Sequence, residues 1–542
     1  MKKKNIFLVS LIILCVSITS LFAQEDMFTR MDSILVPEID NCGFGELIAG
    51  VDFDDDQKVE IYVVNNMNDI GGNELIPRIY KYEFNGTEWE LVWDEFSRDI
   101  VQQNSWAALT YGDWDGDNKK EILWAPANNF IENNLNPPRI MIWEANGDDK
   151  LGKANFGFET PSAQWTITDQ ESFEVRPFRM IFNDIDDDGV EELIFGDRQL
   201  NYRFGVVSIT DVPDNGNGSE TWTMEASGLE DVLDDDPIYD MAIMNGTIYL
   251  FHSDGTVTPV KYENETYSVL DGIPDFLPGG SWKSSNSLDL NNDGKNEIVI
   301  SGWQPNSSNV ANKIFLIEED EQNVIKKTMI ANFGPLISAT GRINGGHDAY
   351  GDIDNDGNID FIFGSRQTEP SVAILRMEYL GGEISDSNSY EISVIDSLYP
   401  TENPGRYDIV SVANLDEDPE LEVLYTNGAS CERFPIVILD LNKPVGVNEN
   451  FVPTQFSLEQ NYPNPFNPVT NISFSLPEQS EVSLKIFNTL GEEMEVIVNR
   501  EILSRGNYNF KFNSKNYSSG IYFYILESSS FGILTKKMIL LK

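Results

Sequence analysis

Cysteine and histidine are nearly missing from this chain. Three cysteines (Cys15, Cys42 and Cys431) and two histidines (His252 and His347) among 542 residues exclude a disulfide-stapled scaffold and a thiolate- or imidazole-built metal centre. Basic residues are scarce too, with 37 Lys+Arg against 89 Asp+Glu and a formal net charge of −52. Such a chain gains nothing from counterion release on nucleic acid, and anionic lipid repels it. Beyond residue 22 no run of 18 uninterrupted apolar residues occurs, so nothing later in the chain reads as a membrane-spanning helix. What the composition favours is oxygen ligation, in which hard divalent cations, calcium above all, take carboxylate oxygens.

The first 23 residues read as a signal peptide. Lys2, Lys3 and Lys4 precede an apolar run from Ile6 to Phe22, and Ala23 places a small residue before Gln24. The mature chain is therefore expected outside the cytoplasm.

One pattern recurs along residues 24–442: an apolar run, an acidic string of the form D-x-D-x-D-G-x-x-E, and a second apolar run. It appears as DFDDDQKVE (52–60), DWDGDNKKE (113–121), DIDDDGVEE (184–192), DLNNDGKNE (289–297), DIDNDGNID (352–360) and, altered, NLDEDPELE (414–422). The 105-residue gap between the third and fourth strings fits two units. At its midpoint Ile238–Met244, the turn Asn245-Gly246 and Thr247–Phe251 read as the same hairpin with the acidic loop trimmed to a tight type I′ turn. Seven units of four short strands each predict an all-β fold, a seven-bladed β-propeller that protects its sheet edges by closing into a ring.

In the acidic string the first, third and fifth side chains converge as the backbone curls, the glycine relieves the turn, and the ninth residue closes the shell. The expected calcium ligands are Asp52, Asp54, Asp56 and Glu60; Asp113, Asp115, Asp117 and Glu121; Asp184, Asp186, Asp188 and Glu192; Asp289, Asn291, Asp293 and Glu297; Asp352, Asp354, Asp356 and Asp360; and Asn414, Asp416, Asp418 and Glu422. Gln57 and Asn118 replace the glycine in the first two strings, and Pro419 in the last, which makes that site the weakest. About five or six structural calcium sites are expected. The loops resemble FG-GAP or VCBS repeats, the calcium-bearing blades of integrin α-like propellers, and Phe195-Gly196 and Phe363-Gly364 match the FG element. That resemblance implies the fold and the metal rather than an activity.

Aromatic residues recur just before the acidic strings at Trp106, Phe178, Trp282 and Tyr407, with His347 nearby. They read either as packing between blades or as platforms that stack sugar rings or bind peptide. No G-x-S-x-G string and no metal-hydrolase histidine pair occurs. The expected function is that of a secreted or surface binding protein, an adhesin or a module for an extracellular glycan or protein ligand, acting as a monomer. The alternative is a calcium-dependent polysaccharide lyase or glycosidase on the same scaffold.

The C-terminus carries NYPNPFNPVT (461–470), Leu476-Pro477, VSLKIFNTLGEE (482–493), SSGIYFY (518–524) and a terminal KKMILLK. In this order the strings resemble the type A C-terminal sorting domain of type IX secretion. The resemblance implies an Ig-like β-sandwich over 456–542, contact with the type IX machinery, export across both membranes, and a tail removed at the surface. Residues 443–455 form the linker. Because the seventh unit supplies only three strands, a stretch at Ile34–Val36 is expected to complete it. Cys42 and Cys431 would then lie where a disulfide can form.

Overall fold

The computed structural model describes residues 28–542 apart from 38–42, 66–76, 97–106, 118, 127–137, 146–149, 156–157, 166–176, 198–203, 211, 213–219, 228–235, 304–309, 321–323, 338–340, 368–370, 399–404, 417, 428–433, 442–455, 459–460, 462–463, 465, 478–479, 504–505 and 516. The signal peptide, Trp106, Cys42, Cys431 and the linker therefore lie outside the described residues. The chain divides into two compact units, Met1–Asn442 and Lys443–Lys542.

Among its described residues the first unit is built of antiparallel β-sheets, with one short 3-10 helix at Ser387–Ser389. Among its described residues, successive hairpin-connected strands make seven sheets of one pattern. Sheet 1 runs through Phe44–Val51, Glu60–Asn65, Arg78–Phe84 and Trp89–Phe96, and sheet 2 through Ala108–Gly112, Glu121–Ala125, Ile140–Glu144 and Ala163–Trp165. Sheet 3 holds Pro177–Asn183, Glu192–Asp197, Phe204–Thr210 and Thr221–Ser227; sheet 4 holds Ile238–Met244, Thr247–His252, Val257–Glu263 and Thr266–Val269. Sheet 5 comprises Asn286–Leu288, Glu297–Ser301, Lys313–Glu319 and Ile325–Asn332. In sheet 6 two short pieces, Arg342–Ile343 and Tyr350–Gly351, pair with Ile359–Gln367, followed by Ser371–Tyr379 and Tyr390–Leu398. Sheet 7 has Ile409–Ala413, Glu422–Thr426 and Ile436–Leu441, and its fourth strand is N-terminal: Phe28–Ile34 runs antiparallel to Ile436–Leu441.

That fourth strand lies earlier than the apolar stretch Ile34–Val36 suggests, because Phe28 and Ile34 at its ends are buried while the residues between are mainly exposed and polar. It is held instead by main-chain pairing and by Arg30, whose guanidinium donates to Asp396 at 3.1 and 3.2 Å.

The second strands read as unbroken apolar runs, such as Glu297–Ser301, buried at all five positions. A strand covered on both faces needs no alternation. The cover comes from the neighbouring sheets. Separate apolar clusters join sheets 1 and 2, 2 and 3, 3 and 4, 4 and 5, 5 and 6, 6 and 7, and finally 7 and 1, where Ile61 and Tyr80 pack with Leu424 and Ile438.

The second unit packs a three-stranded sheet (Ser457–Leu458, Val469–Leu476, Gly506–Asn513) and a four-stranded one (Glu493–Leu503, Ser480–Asn488, Gly520–Ser528, Gly532–Leu540) around one apolar cluster. Glu493–Leu503 is the strand that sequence patterning misses. It lies at a sheet edge with repeated register shifts, and among its residues Val498 is the one fully buried apolar side chain.

Candidate functional site

Each acidic string is the connection between the first and second strands of its sheet, and sheet 4 has the tight turn Asn245-Gly246 in its place. The loops share a hydrogen-bond pattern. In four of them the first-position aspartate accepts from the backbone N–H of residues five and six, as Asp184 does from Asp188 and Gly189 at 3.1 and 3.0 Å. In all six the fifth-position aspartate accepts from the N–H of the seventh residue.

Two positions need a left-handed backbone. The sixth holds Gly189, Gly294 and Gly357 at φ between 88° and 93°, and Gln57 adopts 70° there. The fourth, which the sequence pattern does not flag, holds Asp55, Asp187, Asn292 and Asn355 at 54–60° and Gly116 at 75°. Asp and Asn tolerate this region better than other side chains. Sheet 7 departs from the pattern: Pro419 stands at the sixth position, and the Asn414 side chain donates inward to the Asp418 carbonyl at 2.7 Å.

The ninth-position carboxylate has a structural task as well. One of its oxygens accepts from the N–H of the second loop residue in every case: Phe53, Trp114, Ile185, Leu290, Ile353 and Leu415, at 2.6–3.1 Å. Its surroundings then differ from sheet to sheet. In sheet 2 burial, reinforced by Asp115 and Glu144, pushes Glu121 up to about 9, against the pull of the Trp114 N–H. Burial likewise moves Glu192, Glu297 and Glu422 to about 7. In sheet 6 the Arg376 guanidinium offsets part of the burial of Asp360, which rises to about 6.

Convergence differs too. Asp113, Asp115, Asp117 and Glu121 each offer an oxygen within 4.8 Å of the others, as do Asp184, Asp186, Asp188 and Glu192. In sheet 1 the converging sets are Asp52, Asp54 and Glu60, and Asp54, Asp56 and Glu83; in sheet 6 the set is Asp352, Asp354 and Asp356. Lys81 and Arg376, which the reading of the loops leaves out, are buried beside Glu60 and Asp360. A basic residue followed two places on by glutamate in a mainly apolar strand, as in Ile79–Phe84 or Ile374–Tyr379, is the signal that could have found them.

A second polar cluster joins the first strands of several sheets. Buried Arg179 donates to Asp240 at 2.8 Å and to both oxygens of Asp348 at 3.0 Å. Asp240 also accepts from Ser281, Ser284 and Ser285. Lys283 reaches Glu46 at 2.6 Å, with His347 3.6 Å from the same carboxylate. Burial opposes ionisation of Glu46, yet Lys283 and His347 hold its pKa below the usual carboxylate value. Burial keeps His347 below the ordinary histidine range despite Glu46. Beside this network a cavity of about 370 Å³ is lined by Arg179, Asn183, Asn245, Ser287, Asn296 and Asp348, among others. It lies where sheet 4 carries its short turn.

The aromatic candidates do not line this cavity, although the Lys283 ammonium of the network lies 4.9 Å from the centre of the Phe178 ring. Phe178 and Trp282 are buried and pack edge to face at 4.9 Å, together with Tyr239 and Trp303. Tyr407 is buried against Tyr425 and Phe434.

Residues 460–541 match the secretion system C-terminal sorting domain family. The tail is an export signal. It directs the chain to the cell surface or the extracellular space through the type IX secretion machinery. No helix among the described residues is long and apolar enough to cross a membrane. No curated protein matches the chain in sequence. Among solved structures it is similar to Sqt1 of Saccharomyces cerevisiae, at TM-score 0.40 and 10% identity, covering 76% of this chain and 98% of that one. It is also similar to the N-terminal domain of Nup159, at TM-score 0.38 and 9% identity, covering 77% and 96%.

Proposed function

We propose that residues 24–442 form a seven-bladed, FG-GAP/VCBS-type propeller, stabilised by calcium, that binds a carbohydrate ligand outside the cell. The single observation that carries the ring is the run of apolar clusters, which passes from sheet 1 through sheet 7 and back to sheet 1. A last blade completed by the N-terminal strand agrees with it.

The calcium reading is supported best in sheets 2 and 3, where four carboxylates converge. Close carboxylates repel one another until a cation sits among them. In sheet 2 the second observation is Glu121: it is fully buried, and its Oε1 has no hydrogen-bond partner. Bound calcium would cancel that repulsion and, by binding the folded form alone, stabilise it through mass action.

The ligand reading rests on the cavity. The Asn183 and Asn296 amides and the Arg179–Asp348 pair present donors and acceptors suited to a polyhydroxylated molecule, while the Ser287 hydroxyl donates to the Ile243 carbonyl and the Asn245 amide ties its turn to Asn296. The surrounding excess of negative charge disfavours polyanions, so the expected class is a neutral glycan. A glycan array probed with the secreted protein, with and without chelator, tests this. Binding of neutral glycans that is lost in Asn183→Ala supports it, and turnover of a polysaccharide would replace it with the enzymatic alternative.

A further inference from the structure

The six acidic strings are alike, but the strands behind them are not. In each sheet one residue of the third strand pairs with the residue two past the ninth-position carboxylate. In sheet 1 that residue is Lys81, opposite Tyr62, and in sheet 6 it is Arg376, opposite Ile362. In sheets 2, 3, 5 and 7 the same register holds Ile142, Val206, Leu316 and Ile438.

Lys81 is fully buried, and its ammonium lies 2.7 Å from Asp54 Oδ2, 2.7 Å from Glu60 Oε1 and 2.5 Å from Glu83 Oε1. The Arg376 guanidinium lies 2.6 Å from Asp354 Oδ2, 2.6 Å from Asp360 Oδ1 and 3.4 Å from Glu378 Oε2. In both sheets the cation engages the third- and ninth-position carboxylates, the groups a metal would need. The other oxygen of each ninth residue is also engaged, Glu60 by the Phe53 N–H and the Tyr62 hydroxyl, Asp360 by the Ile353 N–H. Glu121 in sheet 2 is equally buried, but among the described residues its Oε1 has neither a hydrogen-bond partner nor a basic side chain within ion-pair distance, and the same holds for Oε1 of buried Glu422 in sheet 7. A metal placed beside Lys81 or Arg376 would meet a buried like charge, whereas one placed before Ile142 meets an aliphatic side chain and an unanswered carboxylate, the nearby cation being the partly exposed Lys119 on Asp117 and Glu144.

We propose that Lys81 and Arg376 are built-in counter-ions that take the place of the metal in sheets 1 and 6, leaving the remaining acidic loops to draw their cation from solution. The second half of this statement rests on the calcium reading above. Sheets 1 and 6 are the two that pack against sheet 7, the sheet completed by the N-terminal strand. The two sheets that flank the closing one thus each carry a counter-ion of their own.

The test is calcium stoichiometry by equilibrium dialysis on the full mature chain and three variants. Lys81→Met and Arg376→Met should each bind one more calcium than the wild type, and Ile142→Lys one fewer. Unchanged counts in both methionine variants, with native circular dichroism, overturn the proposal. A methionine variant that folds only when calcium is present supports it. If neither folds in either condition, Ile142→Lys decides, and retention of the wild-type count overturns the proposal. A wild type that binds no calcium defeats the calcium reading alone; a single site gained by Lys81→Met would then still uphold the counter-ion, and no gain would remove both.

Discussion

The two units of this chain fold by the same kind of strand pairing and handle charge in opposite ways. Residues 443–542 contain nine acidic and nine basic residues and no aspartate, so the whole net charge of −52 belongs to residues 1–442. The tail closes around a single apolar cluster with Leu484, Ile486 and Tyr524 fully buried, and among its described residues no charged side chain is buried. The repeats bury apolar side chains just as completely, but they also bury Glu60, Glu121, Glu192, Asp360 and Glu422. A buried carboxylate is costly unless something answers it. Hydrophobic packing suffices for the sorting tail, whereas the repeat unit must also answer buried carboxylates, as Lys81 and Arg376 do in sheets 1 and 6.

The largest expected effect is that of chelation. All ten tryptophans fall between Trp89 and Trp303, so tryptophan fluorescence reports the repeat unit alone. Its melting temperature should fall by more than about 10 °C on calcium removal, since each site held at a hundredfold excess over Kd adds roughly 2.7 kcal/mol. Hydrogen exchange in tail peptides should not change. Next in size is Lys81→Met measured without calcium. Leaving Glu60 and Glu83 buried without their ammonium should cost about 3–5 kcal/mol in urea unfolding followed by fluorescence. Leu484→Ala reverses the contrast: a cavity in the tail core should cost roughly 2–5 kcal/mol, read as faster exchange in residues 480–540, while the tryptophan melt stays put. The smallest effect is expected for Gln57→Gly. Relief of the left-handed backbone at φ 70°, worth about 1–2 kcal/mol less the roughly 0.5–1 kcal/mol of entropy that glycine loses, should stabilise sheet 1 by about 0.5–1 kcal/mol, a small shift of the urea midpoint.

What was legible in the sequence was what is local. Nine consecutive residues define each acidic string, so the loops, their flanking strands and the trimmed turn at Asn245-Gly246 could be placed from spacing. Lys81 and Arg376 could not, because they stand 27 and 22 residues beyond Asp54 and Asp354 and reach them only through strand pairing. The network around Arg179 is equally non-local: Asp240 and Asp348 come from different sheets, 61 and 169 residues further along the chain. The strand Phe28–Ile34 hides because an edge strand with a mainly exposed middle carries little alternation. Buried Phe178 and Trp282 show the converse limit, since aromatic spacing marks a position along the strand but not the company it keeps.

Anomalous diffraction from crystals of the exported protein grown in calcium puts the central claim to the most direct test. The account predicts peaks inside the loops of Asp113–Glu121 and Asp184–Glu192, and none between Glu60 and Lys81 or between Asp360 and Arg376. Empty loops in sheets 2 and 3, or an ion bound by Glu60 with the Lys81 ammonium displaced, would contradict it.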